Sequence, residues 1–312
     1  MASGTLIDIH SHIYPEWYLD ELRLRTQVPY IKTGGDGDRL VVIPETEGVP
    51  LTPAYWSVDE KLRFMDGVGI AVSLVSPGNP WLGFLDDSVR SPEWANRINL
   101  DLSTWSESSP HRLFALGVLP TSSIVHCVQA TQAVSQRPSL KGFITGTDIC
   151  GLGFDEPELD QLWEALDKAG CIVLVHPGAE WLRSARDSLG LTVGVSFPLE
   201  TTIAASRLLL ARVPERFPKI RFLLAHGGGT LPFLLGRLDH VWRHSSPPSE
   251  LARSFYADAL VYSERTIEFV AGRLGEGRLM WGSDHPFSMP DAPGVSVPAD
   301  VRAGTARALL DL

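Results

Sequence analysis

Eight apolar runs of strand length recur along the 312 residues, at 6–10, 71–76, 114–119, 142–145, 172–176, 221–226, 256–258 and 279–282, the seventh poorly defined. Segments with helical periodicity, many opening on Ser, Asp, Glu or Pro, fill most of the intervals, at 58–68, 92–106, 122–136, 157–168, 200–212 and 265–274. Runs such as Val173-Leu174-Val175 and Phe222-Leu223-Leu224 are apolar at every position, as strands are when helices cover both faces of a parallel sheet. The alternation predicts an α/β fold, a (β/α)8 TIM barrel, over an open sheet. One domain over residues 1–312 is expected. The stretch 14–57 is too long for a simple βα loop, and Pro15, Pro29, Gly34-Gly35, Pro44, Pro50 and Pro53 break any continuous helix. It reads as an insertion after strand 1, forming a lid above the catalytic rim. After Asp284, the prolines at 286, 290, 293 and 298 leave room for a single closing helix at 299–310.

A chain that is 44% hydrophobic and 21% charged can bury a large core without covalent staples. Its net charge of −10, with no basic cluster interleaved with aromatics, argues against nucleic acid as a partner. Cys127, Cys150 and Cys171 form no C-x-x-C pair, which suits thiols in a reducing compartment, and a cytoplasmic location is expected. No apolar stretch approaches the ~18 residues of a membrane span, so no membrane partner is expected.

Four of the runs deliver potential metal ligands at their ends. Leu6-Ile7-Asp8-Ile9-His10-Ser11-His12 carries two histidines one residue apart, and strand alternation points both the same way. The runs at 172–176, 221–226 and 279–282 lead to His176, His226 and Asp284. Any one such histidine is commonly a hydrogen-bonded core residue, but packing alone rarely produces four strand ends of this kind. His10, His12, His176 and Asp284 are read as ligands of one divalent ion, Zn2+ with Mn2+ as the alternative, enclosed from different strands with room for substrate.

His226 is either a fifth ligand or a general acid/base. The second role is preferred, because an uncoordinated imidazole titrates near neutrality and four protein ligands already crowd the ion. A hydrogen-bonding support role is the bland alternative. Asp284 is read as catalytic as well as ligating, its alternative being a helix N-cap. His285 is expected to point away from the metal and support the site. His111, His126, His240 and His244 read as surface residues. Trp17, Trp81, Phe84, Trp181 and Phe287 either line a pocket for a planar ligand or pack in the core. Lys61 and Arg63 fall in a predicted helix and are expected to face solvent. Lys141 opens the fourth strand, at the rim opposite the site, and so cannot bridge two metals there.

Asp8-x-His10-x-His12, His176-Pro177, His226-Gly-Gly-Gly and Gly282-Ser-Asp284-His-Pro resemble the amidohydrolase superfamily. Phe197-Pro-Leu-Glu-Thr-Thr202, Leu224-Ala-His-Gly-Gly-Gly-Thr-Leu-Pro-Phe233 with Gly236-Arg237, and Gly282-Ser-Asp-His-Pro-Phe287 narrow it to the aminocarboxymuconate-semialdehyde decarboxylase-like branch. Asn79-Pro-Trp81 adds a likeness to isoorotate and salicylate-type decarboxylases. The resemblance implies a one-metal barrel that cleaves a C–C bond without oxidation or organic cofactor. By motif match it implies His10, His12, His176 and Asp284 as ligands and His226 as base or hydrogen-bond donor. It implies substrate contacts at Asn79, Trp81 and Phe287 and support of the site by Glu200 and His285. Arg237 would reach the substrate carboxylate of a neighbouring subunit, implying a homodimer; its alternative is a surface ion pair. Two departures stand out. The chain stops at Leu312, so an abbreviated closing helix is expected, and 41–55 holds no arginine where relatives place a carboxylate binder.

The expected activity is therefore decarboxylation of a planar aromatic or heteroaromatic acid, isoorotate-like or 6-methylsalicylate-like. In it the metal chelates the substrate and Asp284 protonates the carbon that loses CO2. A metal-dependent hydrolase of a lactone or amide is the second reading. A catalytically dead barrel that binds a small acid as a sensor is the third.

Overall fold

β1 (Leu6–His12) leads into three short strands, β2 (Tyr30–Gly34), β3 (Gly37–Val41) and β4 (Val49–Pro50). There follow β5 (Ile70–Ser76), β6 (Leu113–Val118), β7 (Leu140–Thr145), β8 (Ile172–Val175), β9 (Arg221–Leu224), β10 (Tyr256–Asp258) and β11 (Leu279–Met280). These coordinates are a computed structural model, which describes residues 6–42, 47–78, 90–178, 190–243, 246–287, 297 and 300–312. β1 and β5 to β11 form one eight-stranded sheet in chain order, and its paired strands run parallel. The ends of that sheet meet. The Ile9 amide donates to Trp281 O at 3.1 Å, and the Ser283 and Asp284 amides both reach His10 O, at 3.2 and 2.8 Å. The sheet is thus a nearly closed barrel, as the sequence predicts.

Helices at Val58–Val68, Ser91–Ser108, Ile124–Gln136, Asp160–Ala169, Phe197–Leu210, Leu231–Val241 and Glu264–Leu274 cover the strands. Their ends follow local chemistry. Ser57 Oγ accepts the Glu60 amide at 3.3 Å, and Ser123 Oγ accepts the His126 amide at 3.2 Å. Gly69 and Gly170 take left-handed φ values of 81° and 62° at helix C-termini. All four residues of β8 are buried, which is why that strand reads as an unbroken apolar run.

The insertion departs from expectation. It contains an α-helix at Glu16–Arg23, starting directly after Pro15, and β2, β3 and β4 pair as a small antiparallel sheet. Pro15 at the N-cap opens that helix, because the ring blocks only a donor that would have no partner there. The closing segment also differs. A π-helical turn at Asp300–Gly304 precedes an α-helix confined to Thr305–Leu310.

Lys61 does not face solvent. It is fully buried in the helix Val58–Val68, while Arg63 is exposed and pairs with Glu60 at 2.6 Å. Trp17 packs against the core, its Nε1 donating to Asp101 at 2.7 Å with the Arg97 guanidinium over its ring. His126 is also less exposed than a surface residue, and its Nδ1 is buried.

Candidate metal centre

Strand geometry brings the donors together. β1 carries His10 and His12 to its C-terminal end, past an irregularity in its pairing with β5 between Asp8 and Ser11, and Ile7, Asp8, Ile9, His10 and His12 are all fully buried. His176 follows β8 directly, and Asp284 sits on the turn after β11. One donor atom from each of His10, His12, His176 and Asp284 falls within 4.8 Å of the others. His10 Nε2 lies 3.1 Å from His12 Nε2 and 3.6 Å from Asp284 Oδ1, and His12 Nε2 is 3.0 Å from that oxygen. Metal–ligand bonds of ~2.1 Å place neighbouring donors roughly 3.0–3.4 Å apart, so these separations suit one small cation.

Proton bookkeeping strengthens the fit. The His10 Nδ1 proton is committed to Asp258 Oδ2 at 2.7 Å, and that of His176 to Pro177 O at 2.9 Å. Both Nε2 atoms therefore present bare lone pairs. Asp284 Oδ1 is buried and has no well-formed hydrogen bond. Lone pairs converging without a shared proton repel each other unless a cation lies between them, and neutral imidazoles with a carboxylate suit a divalent ion.

The electrostatics agree at three of the four donors. Burial, outweighing the opposing pull of Asp284, pushes His12 down to about 4, and burial with the neighbouring imidazoles holds His176 well below the usual range. Burial favours the neutral acid at Asp284, but the His12 ring nitrogen 3.0 Å from Oδ1 and the nearby imidazoles outweigh it and keep the carboxyl below the usual carboxylate range. His10 moves upward. Burial lowers it, but the Asp258 hydrogen bond and charge outweigh that penalty.

Asp258 escaped the sequence reading. Fully buried at the end of β10, it accepts the His226 amide at 2.9 Å and the Gly227 and Leu260 amides at 3.0 Å, besides fixing the His10 ring. Its one sequence signal was an acidic residue closing a weak strand. Asp8 is a second buried carboxylate, accepting the Ser283 hydroxyl at 2.6 Å and the Ser283 amide at 2.9 Å. Burial raises it to about 6.

The remaining expected residues fall as follows. His226 stands at the rim, 5.3 Å from His176 and 5.6 Å from His10 between ring centroids, stacked over Phe197, with a buried Nδ1 that has no hydrogen-bond partner among the described residues. His226 and Asp284 both hold left-handed backbones, φ 55°, a strained state for residues with a β-carbon that clusters at functional sites. Glu200 is buried behind His176, accepting the Gly178 amide at 3.0 Å and the Ser196 hydroxyl at 2.9 Å. Gly229, φ 63°, lies so close to the helix Phe197–Leu210 that a β-carbon there would sit 2.0 Å from Pro198 O. Phe287 meets His12 edge-on at 5.5 Å and Tyr55 at 5.7 Å. His285 turns to Lys61 and stacks on Phe64 at 3.7 Å. Arg237 is exposed on the helix Leu231–Val241. Asn79, Trp81, Phe84, Trp181 and His244 lie outside the described residues.

The amidohydrolase family profile matches residues 7–309. The chain belongs to the amidohydrolase family. The chain is 25% identical over 252 residues to a 2-amino-3-carboxymuconate-6-semialdehyde decarboxylase of Dictyostelium discoideum, covering 77% of this chain and 69% of that one. It is 26% identical over 307 residues to a decarboxylase of Aspergillus niger, covering 90% and 77%. The crystal structure of apo IDCase from Metarhizium anisopliae superposes on it with a TM-score of 0.87 at 28% identity, covering 99% of this chain and 97% of that one. No helix among the described residues is long and apolar enough to cross a membrane.

Proposed function

We propose that this protein is a metal-dependent, non-oxidative decarboxylase of a planar aromatic or heteroaromatic acid, isoorotate-like or 6-methylsalicylate-like. The observation that carries the reading is Asp284, an ionised carboxylate held against three converging imidazoles at the mouth of a barrel whose relatives include decarboxylases. His10, His12, His176 and Asp284 would hold the ion. When bound, a divalent metal supplies Lewis acidity toward the acid's carboxylate and the oxygen beside it.

Loss of CO2 leaves an electron pair on a ring carbon, which must be protonated. Asp284 rests ionised, so the proton it delivers is one it first takes from the substrate's own ring hydroxyl or N–H. That proton passes to the carbon as the C–C bond breaks, and the product leaves as its oxyanion or its ring-nitrogen counterpart. His226, with Nδ1 uncommitted, holds a substrate oxygen. Phe287, Asn79 and Trp81 would flank the ring. Glu200 keeps His176 in place through the Gly178 amide, and His285 supports the Asp284 turn. Lys141 occupies β7 near its start, at the far rim, which favours one metal over two.

Three further elements complete the reading. Residues 14–57 act as the lid of a single domain, a role supported by the contact of Tyr55 with Phe287. Arg237 serves the site of a second subunit in a homodimer. The location is cytoplasmic, where free Cys127, Cys150 and Cys171 persist as thiols. Zinc suits three imidazoles and a carboxylate, with manganese the alternative.

The test is to load purified protein with Zn2+ or Mn2+ and screen 5-carboxyuracil, 6-methylsalicylate and hydroxybenzoates for CO2 release. Conversion of lactones or amides to carboxylates, with no CO2 from any acid, would replace this reading by a hydrolase.

A further inference from the structure

Lys61 has no place in the chemistry described above, yet it is fully buried within a surface helix. It lies one helical turn before Met65, on the face that packs against the barrel, and burying an amine there is costly unless its donors are matched. They are matched by two residues. Nζ reaches Ser11 Oγ at 2.7 Å, His285 Nδ1 at 2.6 Å and His285 O at 3.1 Å, which accounts for all three ammonium protons. Ser11 lies between His10 and His12 on β1, on the opposite face from both, and His285 directly follows Asp284. Ser11 Oγ also donates to His285 O at 3.2 Å, closing a triangle of contacts.

The same helix holds the His285 ring a second way. Phe64, three residues on from Lys61, stacks face to face on it with ring centroids 3.7 Å apart and an interplanar angle of 14°. The segment gripped from outside is therefore the turn whose Asp284 backbone takes a left-handed φ of 55°. A strained backbone of this kind persists only where its surroundings over-determine it. Inside the barrel, the Asp284 amide is bound to His10 O at 2.8 Å. Outside it, the Lys61 contacts are the polar ties between this turn and the covering helix.

We infer that Lys61 is a positioning residue, whose buried amine locks the His285 turn onto β1 and so holds Asp284 in the place that completes the ligand cluster. It touches neither substrate nor metal. The inference rests on the reading of the four donors as a metal centre and assigns that centre a support outside the barrel wall.

The test uses full-length Lys61→Met, which keeps the side-chain length and removes the three hydrogen bonds. Arg63→Met, on the exposed face of the same helix, is the control. Zn2+ affinity is measured by chelator competition, the ligand field from the visible spectrum of the Co2+-loaded protein, and the melting temperature with and without Zn2+. Lys61→Met is expected to lose ~10–100-fold in Zn2+ affinity, the range for removal of a ligand's supporting partner, to alter the Co2+ spectrum and to shrink the Zn2+-induced rise in melting temperature. Arg63→Met should match wild type in all three. Wild-type Zn2+ affinity and Co2+ spectrum in Lys61→Met would overturn the inference even if its metal-free melting temperature fell, since that fall alone marks a merely structural residue. If wild type binds neither ion, the metal-centre reading itself fails. Should Lys61→Met not fold, Ser11→Ala decides. It removes both the Lys61 acceptor and the Ser11 donor to His285 O, opening the triangle while leaving the amine, so weaker Zn2+ binding supports the inference and unchanged binding overturns it.

Discussion

The Asp258 carboxylate lies 2.7 Å from His10 Nδ1 and simultaneously accepts the backbone amide of His226, so one buried side chain orients the His10 ring and anchors the end of the neighbouring strand β9. A carboxylate behind an imidazole fixes its tautomer and raises its basicity toward metal. Asp258→Ala should therefore weaken Zn2+ binding by ~10–100-fold, read by chelator competition. It should also lower the melting temperature, because the Gly227 and Leu260 amides lose their acceptor. Unchanged Zn2+ affinity would show that the His10 ring is held by packing alone.

Asp284→Asn keeps a donor oxygen in place while removing the group that carries the proton. CO2 release should fall by ~10²–10⁴-fold, the usual worth of a positioned general acid, with metal still bound by elemental analysis. Normal turnover in the metal-loaded variant would remove Asp284 from the proton path.

Acid should destabilise the metal-free protein. Burial holds His12 at about 4, below its ordinary 6.5, and His176 shifts the same way. A depressed imidazole contributes its full stability above 6.5 and loses it as pH falls toward 4, because the unfolded chain takes up the proton first. For His12 alone the loss is on the order of 3 kcal/mol. Asp8, raised to about 6, acts in the opposite sense, its contribution being present at low pH and lost as pH rises through 6. His226 and His285 are depressed like His12, whereas His10, raised, acts with Asp8, so four imidazoles stand against two opposing groups and the melting temperature at pH 4.5 should lie below that at pH 7. Equal values would contradict the burial of these rings.

Subunit mixing tests Arg237. If its guanidinium serves the neighbouring site, Arg237→Ala and Asp284→Asn are each impaired alone. Random re-association of the two, refolded together at equal amounts, restores about a quarter of the wild-type sites. No recovery in a verified heterodimer would leave Arg237 a surface residue.

Much of this architecture was legible in the chain because barrel strands buried on both faces leave unbroken apolar runs, and the ligand residues stand where those runs end. β8 and His176 are the clearest case. What escaped depends on partners distant in sequence. Asp258 closes a three-residue strand that registers only as a poorly defined run, and its value comes from His10, 248 residues away. Lys61 follows the rule that helix charges face water until Ser11 and His285 supply a polar niche inside. In the insertion, β2 and β3 form an antiparallel pair whose glycine-rich connection masked the alternation.

The last barrel strand, β11, spans two residues, and the hydrogen bonds that join its end to β1 also seat Asp284 beside His10. The chemistry is thus mounted on the barrel's seam. Any opening there would dismantle the cluster of converging donors before the rest of the wall gave way, so amide exchange at Ser283 and Asp284 should slow when metal is added and serve as a direct gauge of how firmly the cylinder is zipped.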